Sequence, residues 1–274
     1  MQSAKKLILN ADDYGSCEAV NAAIEELALA GLLGGVSVLA NGEKWEEAAA
    51  FLRQHSNVVS AGIHLNIIEG QPVSVSPAVE VLLGKDGKLV DRNAVLLRWL
   101  CSPRTISHAV EIEWRAQIER LLQAGIQLTH ADSHQHLHAF PPAFRLAVKL
   151  CGAYKIPALR LPRERNQLKR RRLTTLALNM SLLLGRRAMA PASLRHNDHF
   201  LGFKRAGEYG LSELLTDLAT LQDGVTEIAL HPSRENNMPY PKLRGNDERQ
   251  ALLSPEFQTQ LQQHKIQLMQ WSEI

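Results

Sequence analysis

Apolar positions along the chain fall into short runs that alternate with longer stretches of helical spacing. Runs over 7–10, 36–40, 59–66, 127–133, 158–161, 226–231 and 266–271 predict strands. Apolar residues three and four apart predict helices over 18–30, 44–54, 107–123, 141–154, 212–221 and 248–263. Gly31 and Gly125 stand where helices end, and Pro141-Pro142 stands where one begins. Strands alternating with helices predict an α/β fold with a parallel sheet and right-handed crossovers. Roughly seven such units in one chain favour a barrel over a doubly wound sheet. The chain reads as one domain over 1–274, with long excursions near 67–104 and 163–206 that suit insertions at a barrel mouth.

Composition narrows the class without naming a chemistry. Hydrophobic residues make up 45% and charged residues 22%, which are globular values. Cys17, Cys101 and Cys151 are odd in number and widely spaced, so they form no disulfide framework or metal-type pair, which fits a reducing compartment. Leu7-Ile8-Leu9 is too short for the apolar core of a secretory leader, and no apolar run reaches membrane-spanning length, so a cytoplasmic location is expected. The net charge of +3 hides an asymmetry, because residues 163–187 carry +7 and the remainder −4. Within that segment Leu173, Leu176, Ala177, Met180, Leu183 and Leu184 share one helical face between Arg170–Arg172 and Arg186-Arg187. Such a face suits either packing on the barrel or peripheral contact with an anionic membrane or an amphiphile. The arginines are not interleaved with aromatic residues, which argues against nucleic acid as a partner.

Candidate chemistry gathers at the predicted strand ends. The stretch His130-Ala131-Asp132-Ser133-His134-Gln135-His136-Leu137-His138 puts an ionisable ligand-type side chain at every second position. On a strand all five share one face, and a divalent metal is the simplest organiser of such a set. Asp12-Asp13 closes the first strand, where adjacent carboxylates diverge, so that one can ligate and the other act as a base. His64, His134, Arg160 and His231 end later strands, and barrel enzymes build their sites on that face. One Asp with two His suits Zn²⁺ or another divalent ion with open positions.

These stretches also carry a resemblance. Asn10-Ala11-Asp12-Asp13-Tyr14-Gly15, Gly62-Ile63-His64-Leu65, the histidine-rich stretch and Leu230-His231-Pro232 are similar, in order, to the motifs of the YdjC-like carbohydrate deacetylases. The resemblance implies a distorted (β/α) barrel of about seven parallel strands, related to polysaccharide deacetylases. It implies hydrolysis of an N-acetyl group on an N-acetylglucosamine-containing substrate, with one divalent ion, Mg²⁺ or Zn²⁺. Carried over by motif, Asp13, His64 and His134 match the metal ligands and Asp12 the base, although the pattern leaves the two Asp roles open to exchange. Tyr14 stands where the family often has Phe. Residues 158–164, 195–203 and 224–232 resemble more closely the branch associated with hopanoid biosynthesis, which implies a glycosyl lipid substrate instead of a soluble chitooligosaccharide.

The expected mechanism is metal-assisted amide hydrolysis. Asp12 serves as base, Arg160 orients it as in polysaccharide deacetylases, and His231 protonates the departing amine. Asp132, His136 and His138 are expected around the ligands, fixing their tautomers, or at the rim. Two other classes stay open: a metal-dependent phosphoesterase, and a non-catalytic sugar- or lipid-binding barrel. The sequence leaves open whether the chain is a monomer or a homodimer.

Overall fold

Three helices hand the chain to three strands by the same device. The first helix, α1 (Glu18–Leu29), stops at Gly31 in the left-handed region (φ 71°), where Gly31 N–H reaches Ala28 O and Leu32 N–H reaches Leu27 O. The pattern recurs at Gly125 after α4 (Pro103–Gln123) and at Lys155 after α5 (Pro141–Ala153), with Ile126 and Ile156 donating back to Leu121 and Cys151. In each case the buried residue after the turn (Leu32, Ile126, Ile156) pins the reversal to the core.

The computed structural model describes residues 5–164 and 193–274. The amphipathic stretch over 173–184, the basic clusters from Arg165 to Arg187, and the contact with a membrane or lipid expected there lie outside the described residues. All strand pairs are parallel. The sheet contains β1 (Lys5–Tyr14), β2 (Gly35–Val38), β3 (Ser60–Leu65), β4 (Leu128–Ser133), β5 (Ala158–Leu159), β6 (His199–Leu201) and β7 (Gly224–Leu230), in the order β5-β4-β3-β2-β1-β7-β6. The short β8 (Ile266–Leu268) pairs with Lys5–Leu7 of β1, below the stretch of β1 that meets β2.

The seven-strand path curls on itself, as expected of a distorted barrel and not of an open doubly wound sheet. Its two ends meet where Arg195 bridges to Ala158, and Asn197 continues the seam by accepting from Leu161 N–H (2.8 Å) and donating to Leu161 O (2.9 Å). The apolar run of β1 is fully buried: Leu7 and Leu9 join the large core between sheet and helices, while Ile8 packs with Ala158, Met269 and Trp271 in a second cluster.

The structure departs from the sequence reading in three places. The predicted 248–263 helix is two helices, α7 (Gly245–Leu253) and α8 (Pro255–Gln263), because Pro255 lacks an N–H and holds Ser254 extended. Ser254 then caps α8 by accepting from Phe257 N–H. The 67–104 excursion is partly ordered, with a 3₁₀ turn over Pro77–Leu82 and α3 (Arg92–Cys101), whose cap is Asp91. The second excursion contains β6, which the sequence reading omitted. A further helix, α2 (Trp45–Gln54), falls close to its predicted span, and α6 (Leu211–Ala219) likewise.

Candidate metal centre and its buried ion network

The end of β1 is irregular, and the irregularity aims its two carboxylates. Pairing with β2 shifts register between Ala11 and Tyr14, and Asp13 adopts φ 61°. A bulge of this kind re-aims side chains at the rim of a sheet, and Asp tolerates the left-handed region better than most residues. Asp12 and Asp13 therefore face different partners.

Asp13 meets two imidazoles. Its Oδ1 lies 3.0 Å from His134 Nδ1 and 3.4 Å from His64 Nε2, and each of the three residues is at most 5% exposed. Burial raises the pKa of Asp13, but His134 and His64 hold it well below the usual carboxylate range. Burial also disfavours a proton on His64, yet Asp132 and Asp13 hold its pKa up to about 10. His134 is held up to about 9, against burial, by Asp13 and Glu69.

Asp12 faces Arg160. The guanidinium makes a bidentate contact with Asp12 (2.7 and 2.8 Å), reaches Asp132 Oδ2 at 2.7 Å, and bonds Glu227 through Nε at 2.7 Å. All four residues are buried. One cation among three carboxylates leaves a surplus of negative charge, and burial pushes Glu227 up to about 8 despite Arg160. Asn10 completes the cradle by donating to Asp12 Oδ1 and Ser37 Oγ (both 2.8 Å), and Ser37 donates to Asp132 Oδ2 at 2.7 Å.

The two carboxylate sets are joined through Asp132, whose Oδ1 lies 2.6 Å from His64 Nδ1. That contact leaves Nε2 of His64 turned toward Asp13. Of the five alternating residues around 130, the other three lie elsewhere. The strand ends at Ser133, and left-handed backbone at Gln135 and His136 breaks the alternation, so the expectation of five side chains on one face is not met. His130 stacks on Trp271 with ring centroids 4.8 Å apart. His138 contacts Ser133 Oγ and the Arg160 carbonyl, and so supports the Arg160 backbone without touching an imidazole ligand. His136 lies against Phe200 and Phe203, its Nδ1 buried without a partner.

His231 follows β7 immediately. The β1–β7 pairing ends at Ala11–Leu230, one residue before Asp12 and His231, and the His231 N–H donates to Glu248 Oε2 at 2.5 Å. Its Nδ1 is buried and unpartnered. The sequence reading missed several residues: Asn10, Ser37, Glu227, Glu69 and Tyr240. Glu227 carried a signal, since an acid within the apolar run of a strand needs a buried partner. Glu69 and Tyr240 come from loops and carried none.

The Asp13, His64 and His134 donor atoms lie within 4.8 Å of one another. Among the described residues Asp13 Oδ2 is buried with no hydrogen-bond partner, and His134 Nε2 has only the Glu69 carboxylate at 3.5 Å, a shortfall that a bound divalent ion would satisfy. A second potential set, Asp12, His64 and Asp132, shares His64, and its carboxylates are already tied by Arg160, Asn10 and Ser37. The first set fits an ion better.

The class that emerges is a curled parallel α/β barrel with a candidate one-metal centre at the carboxyl ends of its strands. The chain belongs to the YdjC-like protein family, whose profile matches residues 6–263. It is 29% identical to a carbohydrate deacetylase of Brevibacillus brevis, covering 98% of this chain and 99% of the relative. It is 31% identical to a carbohydrate deacetylase of Mus musculus, covering 83% and 77%. Among solved structures, an Enterococcus faecalis V583 protein assigned to cellobiose-phosphate cleavage superposes with TM-score 0.79 at 23% identity, over 99% of both chains. A mutant CE4-family pseudoenzyme with restored enzymatic activity superposes with TM-score 0.51 at 10% identity, over 98% of this chain and 67% of the other. Both likenesses are of fold alone, the second to a CE4-family barrel.

Proposed function

We propose that this protein hydrolyses the N-acetyl group of an N-acetylglucosamine-containing substrate. The observation that carries the reading is the Asp12–Arg160 bidentate pair set beside the Asp13, His64 and His134 group. The deacetylase relatives support it. A divalent ion, Zn²⁺ or Mg²⁺, held by those three residues would supply a Lewis acid for the acetyl carbonyl and lower the pKa of water. Asp12 accepts the proton that water loses as its oxygen bonds the acetyl carbon, and Arg160 keeps that carboxylate oriented. The C–N bond breaks, His231 delivers a proton to the departing amine, and acetate leaves. Asp132 fixes the tautomer of His64. His136 and His138 play no part in proton transfer in this scheme.

A phosphoesterase with two ions needs extra bridging carboxylates. Among the described residues the only second set borrows His64, which favours the single-ion amide hydrolase. The resemblance over 158–164, 195–203 and 224–232 makes a glycosyl lipid the first substrate to test and a chitooligosaccharide the second. In this reading the enzyme works in the cytoplasm, and the lipid route would use residues 163–187 as a peripheral membrane contact. Among the described residues no helix is long and apolar enough to cross a membrane.

The test is mass spectrometry of acetyl loss from an N-acetylglucosaminyl lipid and from chitobiose in parallel, before and after chelation. Asp12→Asn should keep the bound ion and lose about 10²–10⁴ of the rate. No acetate from either substrate would end this reading.

A further inference from the structure

The loop leaving β3 is held more tightly than an ordinary surface loop. Asn66 N–H donates to Gln117 Oε1 (2.9 Å), and its carbonyl accepts from Gln117 Nε2 (2.5 Å). The Asn66 side chain accepts from Ile68 N–H (2.9 Å) and donates to Glu69 O (3.0 Å). Asn41 donates to the carbonyls of Glu69 and Gln71, and Glu113 accepts from the N–H groups of Val73 and Ser74. Four buried or part-buried side chains therefore fix both flanks of Glu69.

What the loop presents is one carboxylate at the edge of the buried centre. Glu69 Oε2 lies 3.5 Å from His134 Nε2, and Oε1 accepts from Gln135 Nε2 at 3.1 Å. Tyr240 stands beside the same carboxylate, and its ring lies 5.4 Å from that of His134. The Glu69 side chain is 38% exposed, against 1% for Asp13. Left-handed backbone at Gln135 (φ 50°) brings its amide to Glu69 directly after His134. Strain of this kind persists where the surroundings demand a particular aim.

We infer that Glu69, Gln135 and Tyr240 form a hydroxyl-reading subsite for the sugar ring that bears the acetamido group. A carboxylate takes hydrogen bonds from ring hydroxyls, an amide and a phenol serve as donor and acceptor, and an aromatic face covers the C–H side of the ring. Without substrate these groups satisfy one another, and a sugar exchanges those bonds for its own. The inference rests on the deacetylase reading and deepens it by naming what holds the sugar.

Glu69→Gln and Tyr240→Phe test it, with bound metal, thermal midpoint, kcat and KM measured on the metal-loaded protein with N-acetylglucosaminyl substrate. Loss of a hydrogen bond to a charged group should raise KM about 10- to 100-fold. The expected kcat stays within about threefold of the parent, and metal content stays unchanged, as uniform binding loss requires. Unchanged KM in both variants overturns the subsite. Loss of the ion in Glu69→Gln also overturns it, since Glu69 would then be a metal ligand. If the parent protein releases no acetate from any sugar, the functional reading fails instead. The subsite is then judged by calorimetric titration with N-acetylglucosamine, where binding lost in Glu69→Gln supports it and equal binding in parent and variant overturns it.

Discussion

Asp132 and His64 share a 2.6 Å contact, both of them buried, on neighbouring strands that pair residue for residue at this point. The carboxylate takes Nδ1 and leaves Nε2 for Asp13 and for an ion. Asp132→Asn should weaken divalent-metal affinity about 10- to 100-fold, as loss of a carboxylate behind a histidine ligand does elsewhere. Metal titration followed by competition with a chelator measures this. Protons held on His64 and His134 must leave when the ion binds, so affinity should also fall as pH drops below about 9 to 10.

Arg160 is the one guanidinium among the described residues that meets Asp12, Asp132 and Glu227, all of them buried. Arg160→Met leaves charges without their partner, which typically costs about 3–5 kcal/mol. Urea denaturation should show that loss. A change below about 1 kcal/mol would mean that the carboxylates share protons readily once the guanidinium is gone.

Gly62 has no room for a methyl group. A Cβ there would meet His130 Nε2 at 2.3 Å and Cδ2 at 2.5 Å, with Trp271 stacked behind the ring. Gly62→Ala should destabilise the fold by about 1–3 kcal/mol through overpacking. The double variant with His130→Ala should recover part of that loss, which a thermal melt of the four proteins would reveal.

His130 also sets an acid limit on stability. Burial lowers its pKa to about 3, so the folded protein keeps it neutral while the unfolded chain protonates near 6.5. Between those values the unfolded state binds more protons, and stability therefore rises with pH across the window and is lost as pH falls through it. His130→Gln should flatten the slope there by up to about 1.4 kcal/mol per pH unit. Denaturant midpoints at pH 4, 5 and 6 provide the comparison.

Much of this architecture was legible because periodicity and punctuation agreed. Gly31 and Gly125 ended helices where the spacing broke, and Lys155 did the same work without a glycine to announce it. The strands β1 to β5 and β7 stood out as apolar runs. β6 did not, because His199-Phe200-Leu201 is short and bordered by Asn197, Asp198 and Gly202. The histidine ladder misled beyond Ser133, since alternation on paper looks the same whether the backbone is a strand or turns left-handed at Gln135 and His136. Strand ends and the family resemblance together pointed to Asp13, His64 and His134, which the structure brings within reach of one another. Glu69, Gln135 and Tyr240 could not be foreseen that way, because hydrogen bonds between loops and a helix leave no period in the sequence.

Trp271 N–H bonds Gly34 O, and its indole Nε1 reaches Asn10 Oδ1, the amide that also steadies Asp12. Asn10 and Trp271 lie 261 positions apart. During synthesis the ribosome makes the Asp12 carboxylate some 260 residues before its indole support. A nascent chain can therefore assemble strands, helices and imidazoles while its proposed base still lacks the prop behind Asn10. Maturation of the site is tied to a long-range closure, and such closures are the slow ones.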